Sequence, residues 1–248
     1  MNPDKKLTPN KPKHRNGGML EAVDKLLFPP LCLACGGRMD SAAQVLCETC
    51  RDRLVPIVEK YCLKCGAPLQ GYHCEACSHL EFVFDFARSV FIYQSPAQEL
   101  VHSLKYDSLT SPAAFFSKAL LDIPAANRFG EGFDCVCAVP LHRVRKRERG
   151  YNQSELLARK LASELGLPFV QPIYRRVYTR SQTNLSRQAR LQNLAGAFAL
   201  RKRSDIAGKR VILVDDVFTT GSTVNEAAQT LKDAGAAKVA VLTAARAV

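Results

Sequence analysis

VILVDDVFTTGSTVNE, residues 211–226, decides the reading of this chain. Val211 to Val214 form a continuous apolar run, as in a strand buried on both faces of a parallel sheet. Asp215 and Asp216 follow at its C-terminal end, the edge where open α/β sheets bind ligands. Thr219, Thr220, Gly221, Ser222 and Thr223 then make a tight loop of small residues that opens onto a helix. Backbone N–H groups and hydroxyls of such a loop surround a phosphate, aided by the positive end of the helix dipole. No lysine follows Gly221, so this is not a nucleoside-triphosphate P-loop. An acidic pair beside a phosphate nest suits a sugar phosphate, in which carboxylates accept the ribose hydroxyls and the nest takes the 5′-phosphate. Asp215 and Asp216 are therefore the candidate catalytic pair, and the five loop residues the candidate phosphate cradle.

Outward from this stretch, strands and helices alternate. FDFARSVFIY (84–93) reads as a strand, and PAQELVHSLKY (96–106) and SPAAFFSKALLDI (111–123) as helices. FDCVCAVPL (133–141) is an apolar strand followed by a basic loop, and NQSELLARKLASELG (152–166) a helix closed by Gly166 and Pro168. FVQPIYRRV (169–177) is a further strand, 222–235 a helix and KVAVLTAAR (238–246) a final strand. The expected fold is α/β, a parallel sheet with helices on both faces. Its domain is expected to span 79–248.

The N-terminal third differs. Residues 1–18 are polar and basic and read as a disordered tail. Residues 19–30 hold a short amphipathic helix ended by Pro29-Pro30, whose apolar side suits packing on its own domain or peripheral contact with a membrane. No stretch approaches the roughly 18 apolar residues of a transmembrane helix. The N-terminus has no apolar leader core, so the expected compartment is cytoplasmic and reducing. There, cysteine pairs read as metal ligands. Eight of the ten cysteines fall in two quartets over residues 31–78: Cys32, Cys35, Cys47 and Cys50, then Cys62, Cys65, Cys74 and Cys77. Four thiolates around one ion make a closed structural zinc site, so two structural zinc ions are expected. The pairs combine either sequentially or as a cross-brace. Gly36 and Gly66 follow the second cysteine of a pair, where a left-handed residue lets the chain curl round the metal. Cys135 and Cys137 read as small buried hydrophobes.

The formal net charge of +12 is unevenly spread. Residues 1–18 carry +4, residues 143–149 (RVRKRER) +4 and residues 174–203 +8, leaving the remainder at −4. Basic segments of this kind point to a phosphorylated small molecule or a nucleic acid. Tyr151, Tyr174 and Tyr178 lie in or next to these segments and suit either packing or base stacking.

The 211–226 run resembles the phosphoribosyl-diphosphate (PRPP) motif of type I phosphoribosyltransferases. VPLHRVRKRERGYNQSELLA (139–158), SQTNLSRQARLQNLAGAF (181–198) and the cysteine-rich N-terminus narrow the likeness to the ComF/GntX family of competence-associated proteins. The resemblance covers about residues 31–248. It departs at Tyr151, where phenylalanine is commoner, and at Phe218 inside the loop. The second cysteine quartet is a variant feature that makes a double zinc ribbon.

The resemblance implies a type I phosphoribosyltransferase-like fold that binds PRPP with Mg²⁺. It implies a pyrophosphate loop at Leu141, His142, Arg143 and Arg149, following Pro140, and a hood at Arg187 and Arg190. In resembled 6-oxopurine salvage enzymes an aspartate stands where this chain has Thr219, which disfavours that subclass. Two functions stay open: phosphoribosyl transfer to an unidentified acceptor, and a single-stranded DNA-binding role beside competence and DNA-uptake proteins, with a regulatory or vestigial PRPP site.

Overall fold

In the computed structural model, residues 29–41, 44–78, 80–106, 110–123, 132–178 and 196–248 are described. The expected tail and most of the expected helix over 19–30 lie outside them, as do Arg187 and Arg190. The elements follow the alternation of the sequence. They are α1 (Glu48–Asp52), α2 (Glu75–Ser78), β1 (Phe86–Ile92), α3 (Ala97–Tyr106), α4 (Ser111–Leu121), β2 (Cys135–Ala138) and α5 (Arg143–Arg149). Then come α6 (Gln153–Leu165), β3 (Ile173–Arg175), β4 (Phe198–Leu200), β5 (Arg210–Phe218), α7 (Ser222–Asp233) and β6 (Lys238–Arg246). Among the described residues no helix is long and apolar enough to cross a membrane.

Strands β1, β6, β5 and β2 lie in that order in one four-stranded parallel sheet. Its strands are apolar at nearly every position because both faces are covered, and the alternation of side chains divides the core in two. Val136, Ile212, Val214, Ala240 and Leu242 face Leu100, Phe116, Leu157 and Leu161 from α3, α4 and α6. Cys135, Cys137, Val211, Leu213, Val239 and Val241 face Ala227, Ala228 and Leu231 of α7, and Ile173 and Phe198 of the β3–β4 hairpin. Cys135 and Cys137 are thus packed inside as the sequence suggests. Ser89 and Thr243 form a buried hydroxyl pair at 2.6 Å between β1 and β6.

The two cysteine quartets dock on opposite faces at the β1 edge. Cys32, Val45, Leu46 and Cys50 join the core of α3, α4 and α6. Cys65 joins the other core, with Phe82 and Phe84. The segment between them pairs with the open edge of β1: Ile57 N donates to Val90 O at 2.8 Å and Ile92 N to Val55 O at 2.9 Å. The second quartet is tied down by Ala87 N donating to Lys64 O at 2.8 Å and Arg246 Nη1 donating to Cys65 O at 2.8 Å. Gly66 has φ of +73°, and a Cβ there would come within 2.6 Å of Ala87 O. The close approach of module and strand therefore needs glycine twice over, for its conformation and for its lack of a side chain.

Phe218, unusual for a loop, is the last residue of β5 and 1% exposed. It packs edge-on against Phe82 and Phe84, with the Arg246 guanidinium 4.2 Å from its ring centroid.

These contacts make the zinc modules part of the sheet's core. Stripping zinc with a chelator should lower the melting temperature of the α/β signal itself, followed by far-UV circular dichroism. An unchanged transition for that signal would contradict the docking. Metal analysis of protein purified without added metal should give two zinc ions per chain.

Candidate functional site

Each quartet assembles sequentially. The sulfurs of Cys32, Cys35, Cys47 and Cys50 lie within 4.8 Å of one another, as do those of Cys62, Cys65, Cys74 and Cys77. Cys35–Cys47 is 3.8 Å, Cys62–Cys77 3.6 Å and Cys65–Cys74 3.5 Å. Sulfurs at about 2.3 Å from a tetrahedral zinc stand about 3.8 Å apart, so the donor sets fit the ion. Both sets are complete with four thiols, which makes them structural centres.

At the C-terminal edge of the sheet, β5 carries Asp215 and Asp216 into a cleft of about 390 Å³. Both are buried, at 9% and 6% exposed. Burying adjacent carboxylates is costly unless donors meet them. Here the first turn of α6 supplies them. Ser154 Oγ donates to Asp215 Oδ1 at 2.7 Å and Gln153 Nε2 to Asp216 Oδ2 at 3.4 Å, at the positive end of that helix. Asn152 caps the helix, accepting from Ser154 N at 3.2 Å while its Nδ2 donates to Val139 O at 3.0 Å. Lys105, from the last turn of α3, pairs with Asp216 at 2.6 Å. Burial lifts the Asp215 carboxyl to about 7, helped by the neighbouring Asp216 charge and opposed by Ser154. Burial works against the Lys105 charge too, but Asp216 outweighs it and holds the ammonium above its usual range.

The loop after β5 turns at Gly221, with φ of +81°. A Cβ there would stand 2.6 Å from Phe218 and 2.7 Å from Phe82, so only glycine lets the turn close onto the aromatic cluster. Gly221 is the N-cap of α7 and has no side chain to cap the first turn; of its N–H groups, that of Ser222 donates to Thr220 Oγ1 at 3.4 Å. Thr220 Oγ1 and Ser222 Oγ sit 2.8 Å apart, while Thr219 and Thr223 line the cleft.

Leu141, His142 and Arg149 form the opposite wall with Arg145 and Arg175. Arg143 of the expected pyrophosphate loop does not reach this cleft and lines an adjacent pocket. The reason corrects the sequence reading: RVRKRER is not a loop but helix α5, capped by His142 Nδ1 accepting from Val144 N at 3.3 Å. Arginine, lysine and glutamate favour helices, yet without an apolar period nothing in the sequence signals one. Helical spacing puts Arg145 and Arg149 on one face and Arg143 and Lys146 on another. His142 is held as a helix cap and packs 5.1 Å from the Tyr178 ring. Tyr151 is fixed by donating to Leu104 O at 2.5 Å, next to Lys105, and so has a packing role.

Lys105, Gln153, Ser154 and Arg175 were not among the residues expected at the site. Lys105 carries no local signal, since it arrives from 110 residues before Asp215 in the chain. Gln153 and Ser154 stand in the NQSE run, where the Asn cap before an apolar-periodic helix marks a helix start facing the sheet edge.

Fold and site define a type I phosphoribosyltransferase-like domain joined to a double zinc ribbon. Residues 152–247 match the phosphoribosyl transferase domain family and residues 23–79 the double zinc ribbon domain. The chain is 33% identical to Competence protein F of Haemophilus influenzae over 224 residues, 87% of this chain and 96% of that protein. It is 36% identical to DNA utilization protein YhgH of Salmonella typhimurium over 222 residues, again 87% and 96% of the two chains. Competence protein ComFC of Bacillus subtilis is 27% identical over 204 residues, 77% of this chain and 80% of that one. The chain belongs to this ComF family of competence and DNA utilization proteins.

The raised Asp215 carboxyl makes stability depend on pH. An ordinary aspartate titrates near 4. Between about 4 and 7 the folded chain therefore holds a proton that the unfolded chain has lost. Stability should fall as pH rises through this window and level off above it. Asp215→Asn should remove that slope in urea unfolding measured from pH 4.5 to 8. An unchanged slope would assign it to other groups.

Proposed function

We propose that the cleft binds PRPP or a related ribose 5-phosphate, with Asp215 and Asp216 on the ribose hydroxyls and the 219–223 loop on the 5′-phosphate. One observation carries this reading: the carboxylate pair and, from the loop, Thr219 and Thr223 line the same cleft as Lys105, Arg145, Arg149 and Arg175. Carboxylates alone would repel an anion, and cations alone would not orient a sugar. Together they match a ligand with hydroxyls in its middle and phosphates at its ends. Mg²⁺ suits the carboxylate side of the cleft, where it would neutralise charge on a diphosphate. Asp215 and Asp216 are the residues to hold it. Arg145, Arg149 and Arg175 face the position of a leaving diphosphate and would stabilise its charge.

A second reading has its own support. Tyr174 and Tyr178 are 40% and 38% exposed beside basic side chains, as on a single-strand stacking surface. Relatives bear the names competence protein and DNA utilization protein. In this reading the chain is a cytoplasmic single-stranded DNA-binding factor in DNA uptake, and the PRPP site is regulatory or vestigial.

Isothermal titration with PRPP and Mg²⁺ tests the first reading. Asp216→Asn should weaken binding about 10- to 100-fold, as expected for a lost charge-assisted hydrogen bond of about 1.5–3 kcal/mol. Thr220→Val leaves the Lys105–Asp216 pair intact and should weaken binding similarly through the loop alone. Wild-type affinity in both variants would remove the ligand from this cleft. Pyrophosphate release on adding oligonucleotides or other acceptors would show transfer.

A further inference from the structure

Beyond the cleft with the carboxylate pair, a second pocket of about 400 Å³ opens on the far side of the Leu141–His142 wall. Pro140, Leu141, His142 and Arg175 line both spaces, so the two are neighbours across one thin partition. The second pocket gathers Arg143, Lys146, Arg175, Arg176 and Arg201. Among the described residues Glu155 is the only acid in its lining, and it is already shared by Lys146 at 3.1 Å and Arg159 at 2.8 Å. No carboxylate among the described residues pairs with Arg143, Arg176 or Arg201. Like charges held this close repel one another, and an anion of several charges relieves that repulsion.

The pocket also carries an aromatic platform. Tyr174 lines it and is 40% exposed, with the Arg201 guanidinium 5.8 Å from its ring centroid. A ring open to solvent beside cations offers a face for a base and charge for its phosphates. Duplex bases are already stacked on one another and cannot use such a face, whereas bases of a single strand can.

We infer that this second pocket binds a single strand of nucleic acid, its phosphates on Arg143, Lys146, Arg176 and Arg201 and one base on Tyr174. The inference rests on the second reading of function and gives it a location separate from the ribose-phosphate cleft. Helix α5 thereby serves two ligands with its two faces, Arg145 and Arg149 toward the sugar phosphate and Arg143 and Lys146 toward the strand.

Fluorescence anisotropy with a labelled oligothymidylate and the full chain, at several salt concentrations, tests this. The double variant Lys146→Gln with Arg201→Gln should bind at least tenfold more weakly at 150 mM salt. Its log–log salt slope should shrink by about 1.4, two phosphate contacts at about 0.7 each on a single strand. Tyr174→Ala should weaken binding about tenfold with its slope unchanged. PRPP binding should stay within twofold of wild type in all these variants, whose side chains lie outside the first cleft. Wild-type oligonucleotide affinity and slope in the double variant would overturn the inference, as would equal affinity for a duplex of the same length. Absence of any oligonucleotide binding by the wild-type chain would overturn it together with the second reading, while PRPP titration of the same preparation reports separately on the first.

Discussion

An edge strand in a parallel sheet has three surfaces to cover: two apolar faces and a row of unpaired backbone groups. Strand β1 stands at that edge, and its burial is what the cysteine modules accomplish. One module closes the face shared with α3 and α4, the other closes the face shared with Phe82 and Phe84, and the 55–57 segment occupies the hydrogen-bonding edge. A stretch of about fifty residues is too short to build a large core of its own, and metal supplies the missing order. The modules then lend small apolar surfaces to a core they did not create. Zinc here acts on the sheet by proxy, through Leu46 and Val45 on one side and Cys65 and Gly66 on the other.

The ligand cleft inherits its geometry from that sheet. Two carboxylates near the end of β5 stay buried because α6 begins opposite them and Lys105 pairs with one, and Asn152 holds the start of α6 there by bonding both its own helix and Val139, just past β2. Tyr151 fixes the end of α3 to the start of α6, and Lys105 fixes the same end to β5 at Asp216. The site thus joins three elements far apart in sequence around one charged pair.

Patterns that are local in sequence were legible, and those that depend on docking were not. Continuous apolar runs gave β2, β5 and β6, and cysteine spacing gave both metal sites, because each pattern answers to the backbone or to one ion. The run from Asp215 to Thr223 announced its chemistry since strand end, turn and helix start are adjacent in the chain. Helix α5 escaped notice because seven charged or polar-flanked residues have no hydrophobic period, and its cap is a histidine rather than serine or aspartate. Lys105 escaped because only folding brings it to Asp216. Nor does cysteine spacing say that one module lies above the sheet and the other below. Phe218 looked out of place in a loop, yet it ends a strand and forms the floor on which Gly221 turns.

Strand β1 pairs with β6, and the hydroxyls of Ser89 and Thr243 that meet between them are 154 residues apart in the chain. On the ribosome this separation sets an order of events. Both cysteine quartets emerge early and can close on zinc as soon as their loops are out, while the strand that will anchor β1 is still unmade. Arg246, which binds the Cys65 carbonyl and covers Phe218, comes later still. The apolar undersides of the two modules therefore have no complete sheet to pack on until β6 has been made.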